Sequence, residues 1–560
     1  MTEHDTKSIG VDDDGNDFSE AKSPNYLESR SSASGALRSG PVPVYTSPEV
    51  VGLLAQYVAI GLCYGALPNL MYPLFAAYFH MTGSQFNSVK TLMGIGWSVK
   101  VFIGLLSDCV PLFGYRRKSW MLFGWSFCFL FMVVLATRDF GRPYYTDRSI
   151  VGIAAAKLTA AQNATLNADA PATGATVSIL CGLATLSYIF AAVPSDALVV
   201  AVAQREPMAV RGRLQSMVYM TRTLATMLSS AMIGFGLNSP DFSGSFGWDM
   251  GQHTIFVLLA VVTGAMVPIT WWCVLDERHP IMESFRAYAH QFWNLVQKRA
   301  TWQIMLFSLL FNLLNSGVTS TAAPYVMLRW AKVENLNYQL MNVAGNLVFA
   351  VTLGAMGGWG TMWNWPLVVV VTTVAANAID AFVQFLTIYD VLRNQWFYIG
   401  VPLAENLPYA MQFIVTTFVI VELAEEGNEG ITYGLFTTVT NLPIAVGPVI
   451  SNAIFSSFDV SENAIAADSV DTRHQVAWTY IIYYFTTIAA CLTVVLLPSQ
   501  KPALHALQAT GGKHPFIGGA VLVVCLVMLV YSVVASLLPM YETTSCLVVA
   551  GGKGCNQPSV

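Results

Sequence analysis

Lys100, Asp196, Arg222 and Glu405 are ionisable residues that lie inside long apolar stretches of this chain. A charge at the centre of a bilayer costs about 2.5–3.5 kcal/mol on insertion scales, so each such residue calls for a functional reason. Lys100 stands eight residues before Asp108 at the end of its stretch, Asp196 nine before Arg205, and Arg222 nine after Arg213. At about 1.5 Å per helical residue, all three sit at one level, about 12–14 Å in from the charged loops. Glu405 falls near mid-depth of its own stretch, between Pro402 and Pro408. Two cations and one carboxylate leave an excess positive charge, which suits an anionic solute. Asp196 or Glu405, held in a low-dielectric cavity, can load and release a proton. The plainer reading is that Asp196 pairs with Arg222 or Lys100 only to bring charge into a helical bundle. Tyr64, Trp97, Tyr188, Tyr219 and Tyr409 offer faces for stacking on a planar ring, although any one of them serves equally as packing.

The elements that position these groups are membrane helices. Of 560 residues, 54% are hydrophobic and only 11% charged, against about 25% charged in a soluble domain. Apolar runs of about 20 residues recur, each long enough to cross roughly 30 Å of hydrocarbon. The alternating segments of about ten residues that a β-barrel needs are absent. Spans are expected at 50–79, 88–108, 119–137, 176–203, 213–237, 253–275, 301–326, 337–357, 366–388, 396–421, 430–456 and 476–497, with a thirteenth run at 516–538. Residues 1–48 hold Asp12, Asp13 and Asp14, many serines and little apolar content, and are expected to be a disordered cytoplasmic tail. That tail lacks the apolar core of a cleaved signal peptide. It also accounts for most of the net charge of −5.

Orientation follows from one hairpin, Lys100 to Lys118, where Arg116, Arg117 and Lys118 stand together between two spans. Short loops rich in Lys and Arg stay cytoplasmic. Arg205, Arg211 and Arg213, and later Arg278, Arg286, Lys298 and Arg299, then also fall inside. The third loop falls outside and carries the single N-x-[ST] acceptor, Asn163-Ala164-Thr165, a site for glycosylation. Its Arg138, Arg142, Arg148 and Lys157 run against the charge rule, and the inner loops of the second half are neutral or acidic, so orientation rests on the first half.

Six spans, a linker of about 25 residues and six more spans suggest two six-helix halves. The expected divisions are a tail over 1–48, a first bundle over 49–275, a cytoplasmic linker over 276–300, a second bundle over 301–498 and an extension over 499–560 with the possible thirteenth span. Helix breakers recur at matching places: Gly65 and Pro68 against Gly317 and Pro324, and Pro194 against Pro402 and Pro408. Breaks at equivalent positions of two halves point to a binding site between them.

Gly104, Asp108, Gly114, Arg116, Arg117 and Lys118 together resemble the loop between the second and third helices of major facilitator transporters. The longer form, GLLSDCVPLFGYRRKSW after Trp97-x-x-Lys100, is similar to the folate–biopterin transporter family. Asp196-Ala-Leu-Val-Val and Glu429-Gly-Ile-Thr-Tyr-Gly-Leu-Phe agree with it, and the resemblance runs over roughly residues 50 to 500. The chain departs from that family at Gly96 and Val101, where Pro often stands, and at Ala192, where a second carboxylate often stands. The departures bear on the substrate rather than the fold.

The resemblance implies an all-α polytopic membrane protein of the major facilitator fold, two six-helix bundles with an extra C-terminal span. It implies a secondary active transporter of folate or pterin solutes working by alternating access, proton-coupled, multi-pass, in the plasma membrane and monomeric among its lipids. Lys100, Arg222, Asp196, Glu405, Trp97, Tyr219 and Tyr409 are the expected solute contacts. Asp108, Arg116 and Arg117 are expected to gate the cytoplasmic side, although topological anchoring explains the cations equally. The alternatives are another small solute, such as S-adenosylmethionine, and a transporter-like sensor signalling through Ser29, Ser31, Ser32 and Ser34 of the tail. No enzyme is expected: the histidines lack metal-ligand spacing, and no Walker loop is present. No cofactor or metal is called for. Cys546 and Cys555 would pair only if the C-terminus is outside.

Overall fold

The computed structural model describes residues 35–81, 89–147 except 91, 95 and 98, 159–276, 278, 285–333, 335–538, 544 and 547. Ser29, Ser31, Ser32, Ser34, Cys546 and Cys555 lie outside the described residues. Nearly everything described is helix, and the core consists of apolar side chains between helices.

The first half holds α1 (Pro48–Asn69), α2 (Lys100–Cys109), α3 (Lys118–Thr137), α4 (Ala170–Ala203), α5 (Arg213–Gly236) and α6 (Gly251–Cys273). An amphipathic helix, α7 (Phe285–Gln297), links it to the second half. That half contains α8 (Arg299–Asn312), α9 (Asn335–Ala355), α10 (Trp365–Ile388), α11 (Asn406–Leu423), α12 (Glu429–Phe455) and α13 (Val470–Ala490). Two helices close the chain, α14 (Lys501–Thr510) and α15 (Pro515–Leu537). Eight described helical stretches are long and apolar enough to cross a membrane. α5 and α12, of 24 and 27 residues, also have the length, α5 with a more polar composition. α15, the expected thirteenth run, lies along α12, α7 and α8.

Local chemistry explains the helix ends and their breaks. Ser47 caps α1, its hydroxyl accepting from Val50 N, and Pro48 sits in the first turn, where a missing N–H costs nothing. After Pro68 the helix loosens into a π-turn, Met71–Tyr78. The matching span behaves alike: α8 passes into a π-turn at Leu313–Gly317, then turns extended at Val318. The tenth span begins as Gln395–Gly400 and tightens to a 3₁₀ turn at Val401–Glu405 before α11. The fourth span corrects the expectation of a break at Pro194. α4 runs 34 residues without interruption, because one lost backbone bond is tolerated when neighbouring groups re-satisfy the ladder. Ser195 helps, its hydroxyl donating to Ala191 O at 2.7 Å.

The two halves meet along two helix pairs, α5 with α9 and α2 with α12. The second pair touches backbone to backbone: a Cβ on Gly104 would stand 2.4 Å from Gly430 O. Residues 35–47, expected within the disordered tail, are instead bonded to the hairpin end of the molecule. Leu37 N donates to Gln204 O at 2.9 Å, Tyr45 hydroxyl to Glu206 at 2.7 Å, and Arg38 pairs with Glu429.

Candidate functional site

Helices α1, α2, α4 and α5 bring the expected N-terminal charges together, and one level of depth does place them side by side. Lys100 Nζ stands 3.2 Å from Asp196 Oδ2, with both side chains 6% exposed. Tyr57 hydroxyl donates to Asp196 Oδ1 at 2.5 Å. The carboxylate is thus taken by Lys100 and Tyr57, leaving Arg222 with no ion pair among the described residues. The Arg222 guanidinium is boxed by aromatic rings instead: Tyr219 at 4.5 Å, Tyr64 at 5.4 Å and Phe413 at 5.8 Å. Lys100 lies 4.7 Å from the Trp97 ring and 5.9 Å from that of Tyr433. A cation over aromatic faces gains about 0.5–2 kcal/mol while its N–H groups stay available to an anion.

Tyr57, Phe413 and Tyr433 were not foreseen from sequence. Each is one aromatic residue among many in an apolar run, and no spacing distinguishes it. Phe413 and Tyr433 come from the second half, on α11 and α12, so the box closes only when the halves meet.

Glu405 and Tyr409 belong to a different neighbourhood. Tyr409 hydroxyl donates to Glu405 Oε2 at 3.2 Å, and Tyr409 lines a cavity of about 240 Å³ inside the second half with Asp380, Asn377 and Gln412. A second cavity of about 400 Å³ lies between the halves, beside Tyr64, Asn69, Ser230, Asn342 and Asn406. It sits towards the end opposite the hairpin.

The hairpin end is closed. Arg117 bridges Asp108 and Glu429: Nη1 stands 2.5 Å from Asp108 Oδ1 as an ion pair, and Nη2 donates to Glu429 Oε2 at 2.8 Å. Asp108 Oδ2 also accepts from Ile431 N at 2.7 Å and from Tyr288 hydroxyl at 2.8 Å. A second tie uses Arg211, which donates to Glu422 at 2.7 Å, while Gln204 donates to Val421 O and Ala424 O. Arg117 therefore makes a bond across the halves, and Arg116 Nη1 also lies near Gly427 in the α11–α12 loop of the second half. Asn163 is exposed at the end of a short helix, Ala160–Asn163, in the third loop.

The BT1 family matches residues 61–140, the stretch holding Trp97, Lys100, Gly104, Asp108 and Arg116 to Lys118. This chain resembles the BT1 family. "Folate transporter 1" of Plasmodium falciparum (isolate 3D7) is 35% identical over 57 residues, which are 10% of this chain and 11% of that protein. The chain thus matches about a ninth of that relative's length. Two solved structures cover far more. The major facilitator proton:xylose symporter XylE, bound to 6-bromo-6-deoxy-D-glucose, superposes at a TM-score of 0.53 and 12% identity, over 82% of this chain and 98% of its own. A D-xylose-proton symporter gives 0.51 and 12%, over 81% and 97%. At that identity the likeness concerns the fold, and the fold is that of the major facilitators, two six-helix bundles. The BT1-like chain is a multi-pass integral membrane protein with that fold.

Proposed function

We propose that this BT1-like chain is a proton-coupled secondary transporter of folate or pterin solutes, working by alternating access. Arg222 carries the reading: a cation with no ion pair among the described residues, held between aromatic faces where the halves meet. A carboxylate satisfies it by charge-assisted hydrogen bonds, and a planar ring suits Tyr64, Trp97 and Tyr219. The short match to a folate transporter supports the same solute class. Asp196 or Glu405 accepts the coupling proton. Asp108, Arg117 and Glu429 form the cytoplasmic gate, closed while the cavity between the halves opens outward. The protein acts as a monomer among plasma-membrane lipids, glycosylated at Asn163.

Uptake of radiolabelled folic acid and biopterin by cells expressing the chain, across about pH 5.5 to 7.5, tests the proposal. Saturable uptake that rises at low pH and disappears in Asp196→Asn is expected. With the protein confirmed at the surface, no uptake of either solute discards the solute class, and S-adenosylmethionine becomes the next substrate to try.

A further inference from the structure

The second half holds two carboxylates that the proposed transport does not yet fully use, and one of them, Asp380, had no sequence signal beyond its charge. Asp380 lies eight residues before the end of α10 at Ile388, and Glu405 ten after Gln395 at the start of the tenth span. Both are therefore well inside the hydrocarbon, and they interact electrostatically. Neither has an ion pair among the described residues. Arg393 and Arg473 of this half are taken towards the surface by Asp390 and Asp468. Asp380 accepts from Gln384 Nε2 at 3.0 Å and from Tyr484 hydroxyl at 2.9 Å, and it lines the cavity of about 240 Å³ with Asn377 and Gln412. Glu405 is 8% exposed and its Oε1 has no hydrogen-bond partner among the described residues. A buried carboxylate oxygen without a donor is costly, which leaves Oε1 open to a donor from outside the chain.

The two halves are unlike in charge. One offers an unpaired cation, Arg222, and the other an unpaired carboxylate pair. They are joined by a stripe at four-residue spacing, Glu405 at the N-cap of α11 and Tyr409 and Phe413 on α11 itself. Phe413 touches the Arg222 guanidinium and Tyr409 touches Glu405. Eight residues of helix separate the two ends by about 12 Å.

Resting on the transport reading above, we infer that Asp380 and Glu405 form a second solute subsite, for a cationic or N–H-rich end such as an amino-pyrimidine edge. The solute is then elongated, with its anionic end at Arg222 and its donor end about 12 Å away. Adjacent N–H donors on a planar ring match a carboxylate as a two-pronged acceptor, and Tyr409 provides the neighbouring face.

Two half-solute probes on purified full-length protein separate the subsites. 2,4-Diaminopyrimidine carries the donor edge alone, and p-aminobenzoylglutamate the anionic end alone. Each is titrated by calorimetry against wild type, Asp380→Asn, Glu405→Gln and Arg222→Gln. Asp380→Asn and Glu405→Gln are expected to weaken diaminopyrimidine about tenfold or more, the loss of a charged hydrogen bond, while aminobenzoylglutamate stays within about twofold and so reports intact folding. Arg222→Gln is expected to do the reverse. Diaminopyrimidine binding that survives both carboxylate variants, or that is lost in Arg222→Gln, overturns the subsite. If wild type binds aminobenzoylglutamate but not diaminopyrimidine, the subsite falls and the transport reading stands. If it binds neither, both fall.

Discussion

Lys100 and Asp196 form a buried ion pair at 3.2 Å, and Tyr57 completes the carboxylate's partners at 2.5 Å. Because Lys100 and Tyr57 occupy the carboxylate, the neighbouring Arg222 has no ion pair among the described residues. The pair's own contribution is asymmetric. Removing one member strands a charge and costs about 3–5 kcal/mol, whereas replacing both with apolar residues is often neutral. Asp196→Asn should therefore lower the melting temperature in detergent clearly, and the double change Lys100→Met with Asp196→Leu should restore most of it while uptake stays absent. A double variant no more stable than Asp196→Asn would show that the pair does more than balance charge.

Arg222→Gln is expected to abolish uptake of anionic solute with normal expression. Arg222→Lys keeps the charge but loses the planar contact with Tyr219, Tyr64 and Phe413, an effect of about 0.5–2 kcal/mol. Its apparent affinity should fall between about twofold and thirtyfold, measured as KM for uptake. Wild-type KM in the lysine variant would show that the aromatic box does not set solute affinity.

The closed hairpin end depends on Arg117 holding Asp108 and Glu429 together. Asp108→Asn or Glu429→Gln should shift the population towards an open cytoplasmic side. Spin labels at the exposed positions Phe113 and Glu426 read this directly as a longer distance. Distances and transport kinetics identical to wild type would leave the cluster as an anchor only.

Lys501, at the start of α14 outside the spans, donates to Met208 O at 3.0 Å and Arg211 O at 2.6 Å. Burial lowers its ammonium from the usual 10.5 to about 8, with Arg211 adding to the drop and Glu422 and Glu206 opposing it. Between pH 8 and 10.5 the unfolded chain then holds more protons than the folded one at this position, so its contribution to stability rises with pH across that window. A melting curve series from pH 7.5 to 10 should show this rise in wild type and lose it in Lys501→Met. An unchanged slope in the variant would assign the rise elsewhere.

Much of this protein was legible in one dimension. Span positions follow from apolar runs, since a bilayer accepts little else. The common depth of Lys100, Asp196 and Arg222 follows from residue counts, because a helix converts sequence distance into height at a fixed rise. The hairpin motif also carried the family resemblance. Rotation about each helix axis and the approach of distant helices left no such trace. Only the tertiary structure decided that Lys100 rather than Arg222 takes Asp196, and that Arg117 bridges Asp108 to Glu429 of the other half. It alone showed that α4 runs straight through Pro194, and that residues 35–47 are bonded to the hairpin end. It also supplied Tyr57, Phe413, Tyr433 and Asp380, which come to their neighbours from helices far apart in the chain. Periodicity fixes what a residue is buried from; partner choice depends on packing between segments hundreds of residues apart, and no local pattern encodes it.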